Sequence, residues 1–301
     1  MSKSQSEKLS QALALLVGSH YTDAIKILLD HGVNPNSALV CAVGLLCEDI
    51  EIVQLLLNYG ADIHIKQSNV LILGIEYNHY NTVKLLLEHG ANTHIENGRV
   101  INISLLNNSY DIMKLLLEFG ASISQIDEHT INESITNNSL KTIELLLQSG
   151  FDIKKICLKC YGKQMAKITI DMIQLLILYG FDIHINDEHL FRSLVHTDNY
   201  PIVKFLLDNQ VNVHANNDKA LFDSCKQYNY KMIILLLNYG ANAHRIKIRY
   251  NFPFKQRIIK LLLERGAIDL RNVKIEDDFL SDTEDIGILS DTEDTGIVEV
   301  S

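Results

Sequence analysis

The sequence of 301 residues is 47% apolar and 21% charged, with 15 Gly, 3 Pro and no Trp, a balance that excludes collagen, wholesale disorder and a disulfide-framed miniprotein. Five irregularly spaced cysteines (Cys41, Cys47, Cys157, Cys160, Cys225) offer no disulfide scheme, the start Ser2–Lys8 has no apolar core for a signal peptide, and no apolar run approaches about 18 residues, so a soluble intracellular chain in cytoplasm or nucleus, with no membrane partner, is expected. The net charge of −10 is concentrated in residues 274–301, where ten acidic residues face one basic residue, Lys274; 26 basic and 27 acidic residues remain in 1–273, without the one-sided basic footprint of a nucleic-acid binder.

In chain order one phrase recurs: AIKILLDHG, IVQLLLNYG, TVKLLLEHG, IMKLLLEFG, TIELLLQSG, MIQLLILYG, IVKFLLDNQ, MIILLLNYG and IIKLLLERG. These end at Gly32, Gly60, Gly90, Gly120, Gly150, Gly180, Gln210, Gly240 and Gly266, at intervals of 28, six times 30, and 26. Such a period marks stacked units, shortened at the ends where capping units stand. Each phrase predicts a helix with a wide apolar arc, stopped by a residue in the left-handed conformation. Gln210 occupies that stop without being glycine, at a cost of about 1 kcal/mol.

Twelve residues before the stop, Asn78, Asn108, Asn138 and Asp198 suit a tight turn with positive φ. Pro201 falls at the first helical residue. Ten before the stop stand Ile50, Tyr80, Tyr110, Leu140, Ile170, Tyr200 and Tyr230, whose tyrosines are expected in a core spine. Sixteen before it the residue is small (Gly44, Gly74, Ser104, Ser134, Ser224), letting another backbone approach; Gln164 and Leu194 depart from this. Seven after it, Asn97, Asp127, Asp187 and Asn217 are placed to cap a first, shorter helix. One unit is therefore helix, tight turn, helix, stop and finger.

The runs Gly60–His64, Gly90–His94, Gly180–His184 and Gly240–His244, each after L-L-L or a near variant, resemble the ankyrin repeat. The resemblance covers about residues 10 to 270. It implies an all-α, helix-turn-helix solenoid of about nine repeats over 8–272, followed by a disordered acidic tail at 273–301. The units are shorter than the usual repeat of roughly 33 residues and lack its T-P-L-H start, so short finger loops are expected. In their Ile, Asn, Lys and Tyr content these divergent repeats are similar to those of giant DNA viruses.

Chemistry-bearing patterns are sparse. His64, His94, His184, His214 and His244 recur once per unit; helices pack about 8–10 Å apart while zinc ligands lie about 2 Å from the metal, so a row of this kind is expected to bond to neighbouring turns. Cys157-Leu158-Lys159-Cys160 is a single C-x-x-C without a partner pair. Asp127-Glu128-His129 and Asp187-Glu188-His189 recur in capping positions. H-E-x-x-H, G-x-G-x-x-G, G-x-x-x-x-G-K-[ST] and G-x-S-x-G do not occur, so no catalytic residue, cofactor or metal is expected.

The tail repeats Leu280-Ser281-Asp282-Thr283-Glu284-Asp285 as Leu289-Ser290-Asp291-Thr292-Glu293-Asp294. Ser281, Thr283, Ser290 and Thr292 among carboxylates resemble acidophilic-kinase substrates, and Ile286–Leu289 and Ile297–Val300 beside acid resemble SUMO-interacting motifs. The expected function is a non-catalytic scaffold, a monomer binding one or more proteins on a concave face of fingers and first helices. Its candidate contacts are Ile65, Lys66, Gln67, Ile95, Glu96, Asn97, Gln125, Ile126, Lys155, Ile156, Ile185, Asn186, Ala215 and Asn216. Two alternatives stand beside it: an adaptor whose tail recruits a second partner, and a metal-binding or redox protein using the His row with Cys157 and Cys160.

Overall fold

The computed structural model describes residues 3–44, 49–65, 70–156, 158, 165–248 and 256–269. Cys47, Cys157, Cys160, Gln164 and the acidic tail lie outside these residues.

The nine repeated phrases form nine helices of one length. They are α2 (Thr22–Asp30), α4 (Ile50–Asn58), α6 (Tyr80–Glu88), α8 (Tyr110–Glu118), α10 (Leu140–Gln148), α11 (Ile170–Leu178), α13 (Tyr200–Asp208), α15 (Tyr230–Asn238) and α16 (Gln256–Glu264), each of 9 residues beginning ten before its stop. First helices precede most of them: α1 (Lys3–Gly18), α3 (Asn36–Val43), α5 (Val70–Glu76), α7 (Arg99–Leu106), α9 (Glu128–Thr136), α12 (Ile185–His196) and α14 (Ala215–Lys226). In the unit ending at Gly180 the described part of the first-helix slot is a 3-10 turn, Met165–Lys167.

The stop works as the spacing predicts. Gly60 has φ 79°, and Ala61 N–H donates to the Leu56 carbonyl at 3.0 Å, closing the last helical turn. Gln210 takes the same conformation at φ 64°. The inter-helix turns also follow: Asn78, Asn108, Asn138 and Asp198 have φ between 53° and 60°. His20 and Tyr228 fill the same turn with φ 57° each, although neither type favours it. Where the small residue is present the N–H after the turn residue reaches its carbonyl, as in His79 to Gly74 (2.8 Å) and Ser109 to Ser104 (2.9 Å). A Cβ on Gly74 would meet the Val83 methyl at 3.1 Å, which is why that position stays small.

The turn residue is also a clip to the following unit. Asn108 Oδ1 accepts from the Thr142 hydroxyl at 2.6 Å, and Asn138 Oδ1 accepts from Thr169 N–H at 2.8 Å. At the far end of the second helices, the Tyr59 hydroxyl donates to Asp30 and the Tyr239 hydroxyl to Asp208. Those carboxylate bonds disfavour phenolate and hold both tyrosines above their ordinary value of 10.0. A raised folded value means that the contact contributes below pH 10 and is lost as the pH rises through it.

Burial is periodic. Eight, seven and four residues before the stop, side chains such as Ile112, Met113 and Leu116 or Ile202, Val203 and Leu206 are at most 2% exposed. First helices contribute Leu71, Ile101, Ile131, Phe191 and Leu221, each at most 1% exposed. Fully burying such a side chain is worth about 1.5–3 kcal/mol. First helices stack α1 on α3, α5, α7 and α9, then α12 on α14; second helices stack from α4 through α6, α8, α10, α11 and α13 to α15. One core runs from Leu13 to Leu262. The only strands among the described residues are β1 (Lys247–Ile248) and β2 (Ile268–Asp269), paired in parallel.

The tyrosine spine is corrected. Tyr80, Tyr110 and Tyr200 are 37–39% exposed. They begin the second helices, at the rim beside the inter-helix turns, and not in the core. Tyr230 is half-buried under the Arg257 guanidinium, 4.0 Å from its ring centroid.

Replacing the strained stop, Gln210→Gly, is expected to raise stability by about 1 kcal/mol; an unchanged or lower midpoint in denaturant would show that left-handed strain is absent there.

Candidate protein-binding face

Each finger begins with the same small device. Two residues after the stop a side-chain oxygen accepts the backbone N–H two residues further on: Asp62 from His64 (2.8 Å), Asn92 from His94 (2.8 Å), Asp152 from Lys154 (3.0 Å), Asp182 from His184 (2.9 Å), Asn212 from His214 (3.0 Å) and Asn242 from His244 (2.9 Å). The Asp or Asn thus folds the finger into a tight Asx turn, and the histidine that follows is presented from a fixed backbone.

Beyond this turn the fingers are compact. Ile123–Gln125, Ile153–Lys155 and Ala243–Arg245 are 3-10 turns, and Ile95–Gly98 is a slightly longer one. In two units three successive residues take left-handed geometry instead: Asn186, Asp187 and Glu188 at φ 53–59°, and Asn216, Asn217 and Asp218 at φ 49–59°. This differs from the capping expected of Asp187 and Asn217, whose left-handed backbone is not that of an N-cap. Asn97, at φ 52°, is likewise no cap; Gly98 holds that place for α7. Asp127 does cap α9, accepting Thr130 N–H at 2.7 Å.

The unusual turns bury a carboxylate. Glu188 is 6% and Asp218 is 2% exposed. Asp218 Oδ1 accepts from the His214 ring (2.8 Å) and from Asn242 N–H of the next finger (2.9 Å), while Oδ2 faces Arg245 Nε at 3.4 Å. Glu188 Oε1 accepts from the His184 ring (2.9 Å) and from Asn212 N–H (3.0 Å). Its Oε2 has no partner among the described residues, because Ala215 stands where the next unit has Arg245. In the first finger Asn36 Oδ1 plays this part, accepting Asp62 N–H at 2.9 Å. His184 and His214 therefore bond to a carboxylate of their own unit, and the carboxylate reaches the neighbour. Spacing alone gave no reason to single out Glu188 and Asp218, although both stand eight residues after a stop.

The candidate contact residues divide by burial. Asn97, Lys155, Ile185, Asn186 and Asn216 are exposed, Ile185 at 48%. Ile65, Ile95 and Gln125 are half-buried. Ile126, Ile156 and Ala215 are 8%, 3% and 2% exposed, which corrects their reading as displayed side chains: they are buried. Gln125 packs directly on Gly98, leaving no room there for a Cβ, and its carbonyl accepts from Asn102 at 3.3 Å. Lys66, Gln67, the Glu96 side chain, and Ser281, Thr283, Ser290 and Thr292 of the tail lie outside the described residues. Exposed Lys154 and the half-open rings of His184 and His214 extend the displayed row.

Among the described residues no group of three or more His, Cys, Asp or Glu side chains is placed to hold a metal ion. Cys225 is buried, and burial pushes its thiol up to about 12, far from the thiolate that redox chemistry needs. No helix among the described residues is long and apolar enough to cross a membrane.

Removing the buried carboxylate, Asp218→Ala, leaves Asn242 N–H without its acceptor and is expected to cost about 2–3 kcal/mol, with faster hydrogen exchange at Asn242. Exchange unchanged at that amide would contradict the inter-finger bond.

The profile described as "Ankyrin repeats (3 copies)" matches residues 47–127 and 71–157. No curated protein matches the sequence. Among solved structures, the ankyrin repeat domain of Bcl-3, described as a unique member of the IkappaB protein family, aligns with TM-score 0.50 at 18% identity, over 68% of this chain and 99% of that one. The human ASB11 ankyrin repeat domain aligns with TM-score 0.39 at 19% identity, over 76% of this chain and 97% of that one. Residues 47–157 carry ankyrin repeats, and the stacked helix-turn-helix units joined by short fingers through one core have the fold of an ankyrin-repeat solenoid.

Proposed function

We propose that the chain is a protein-binding scaffold that grips its partner on the face formed by the fingers and first helices, without chemistry of its own. Ankyrin-repeat domains generally mediate protein–protein interaction and are non-enzymatic. The observation that favours this face is the division of labour within each finger. The Asx turn, the buried carboxylates and the buried side chains Ile126, Ile156 and Ala215 belong to the stack itself. Asn97, Lys155, Ile185, Asn186 and Asn216, interleaved with them, remain exposed on the fingers that follow Gly90, Gly150, Gly180 and Gln210. A solenoid can change such positions without disturbing its core. Their mixture of one apolar side chain, amides and a cation suits an interface with an apolar centre and a hydrogen-bonding rim.

Photo-crosslinking residues placed at 155, 185 and 216 in the full chain are expected to capture the partner protein, whereas the same probe at the exposed outer positions 204 and 231 is expected to give no adduct. Ile185→Asp should then weaken the captured complex by about 1–2 kcal/mol. Adducts confined to the outer helices would place the contact on the opposite side.

A further inference from the structure

The near-neutral balance of residues 1–273 conceals a second division. Residues 1–240 hold 18 basic and 25 acidic residues, a net of −7; residues 241–273 hold 8 basic and 2 acidic, a net of +6; residues 274–301 hold 1 basic and 10 acidic, a net of −9. Positive charge is thus gathered in the last unit, immediately before the acidic segment.

The described basic side chains of that unit lie open to solvent. The Arg245 side chain is 55% exposed beyond its contact with Asp218, that of Lys260 is 81% exposed with Glu264 at 4.0 Å, and Lys247 and Arg265 are exposed. Among the described residues the Arg265 guanidinium donates to Asn238 Oδ1 at 3.4 Å. The backbone brings the acidic segment to the same place. β2 pairs with β1 so that Ile268 lies opposite Lys247 and Asp269 opposite Ile248, and Ile268 N–H donates to the Ile246 carbonyl at 3.0 Å. The chain therefore leaves the described residues beside Lys247 and Arg245.

We propose that this basic surface, Arg245, Lys247, Lys260 and Arg265, is the intramolecular docking site of the acidic segment 274–301. Phe279 stands ten residues past Asp269, and ten residues span up to about 35 Å, enough to lay Glu276, Asp277, Asp278 and the repeated Ser-Asp-Thr-Glu-Asp blocks anywhere on the last unit. The rest of the body, at −7, repels the segment and leaves this surface as its favourable seat. Tethering supplies an effective concentration on the order of millimolar, so modest ion pairing in a screened environment suffices. Each phosphate added at Ser281, Thr283, Ser290 or Thr292 brings about −1.5 to −2 further charge and strengthens the contact. The segment thereby covers the end of the stack and competes with any acidic partner for it. This inference does not depend on the finger face described above.

Chymotryptic cleavage at Phe279 tests it in the full chain, because cleavage follows the population of the undocked segment. At about 50 mM salt, cleavage in the full chain is expected to be about tenfold slower than in a synthetic peptide of residues 274–301. Raising the salt to about 500 mM, or the combined substitutions Lys247→Glu, Lys260→Glu and Arg265→Glu, should restore the peptide's rate. Equal rates in chain and peptide at low salt would overturn the proposal. Protection that survives both high salt and charge reversal would overturn it in favour of another surface, and protection that grows with chain concentration would overturn it in favour of docking between copies. Should the triple variant fail to show native helical content by circular dichroism, the salt comparison alone decides.

Discussion

None of these thirty-residue units can hide its apolar side by itself. From the unit ending at Gly60 onward the second helix buries the residues eight, seven and four before its stop, and the first helices add several large side chains, such as Leu190, Phe191 and Leu194 in α12. Two helices of this size offer too little mutual surface to cover them, so each unit depends on the one before and the one after. The constant length of the nine second helices, and of most intervals between stops, follows from that dependence: a unit of different length would bring its apolar stripe out of line with its neighbours.

Polar groups hold the same alignment at three heights. Asn108 and Asn138 tie inter-helix turns to the next unit, Tyr59 and Tyr239 tie the ends of second helices to carboxylates, and Glu188 and Asp218 tie fingers together. A partly buried hydrogen-bonded group is costly to leave unpaired, so these contacts punish a slipped register that apolar packing alone would tolerate. The exposed finger residues Asn97, Lys155, Ile185, Asn186 and Asn216 are not among the groups of this ladder.

The repeat was legible because it is written in one-dimensional spacing. The stop, the left-handed Asn and Asp of the turn, and the small residue whose neighbour is Val83 each leave a mark at a fixed distance from the glycine. The tyrosines at the start of the second helices were misplaced because apolar periodicity cannot distinguish the helix residue that faces the core from the one that tops its rim. Ile126, Ile156 and Ala215 looked like display positions because burial in a finger depends on how far the next finger overlaps it, a quantity that no spacing records. Glu188 reads as part of a capping Asp-Glu-His run and Asp218 carries no mark of its own; only the left-handed turn that each residue completes directs its carboxylate to the neighbouring finger.

Structure resides in whole units held in register. Deleting residues 121–150 removes one complete period, whereas deleting 121–135 removes half of one. Far-UV circular dichroism across a denaturant titration should show the whole-unit deletion folding with helix content reduced in proportion and a cooperative transition, and the half-unit deletion losing cooperativity. Equal behaviour of the two deletions would contradict the account.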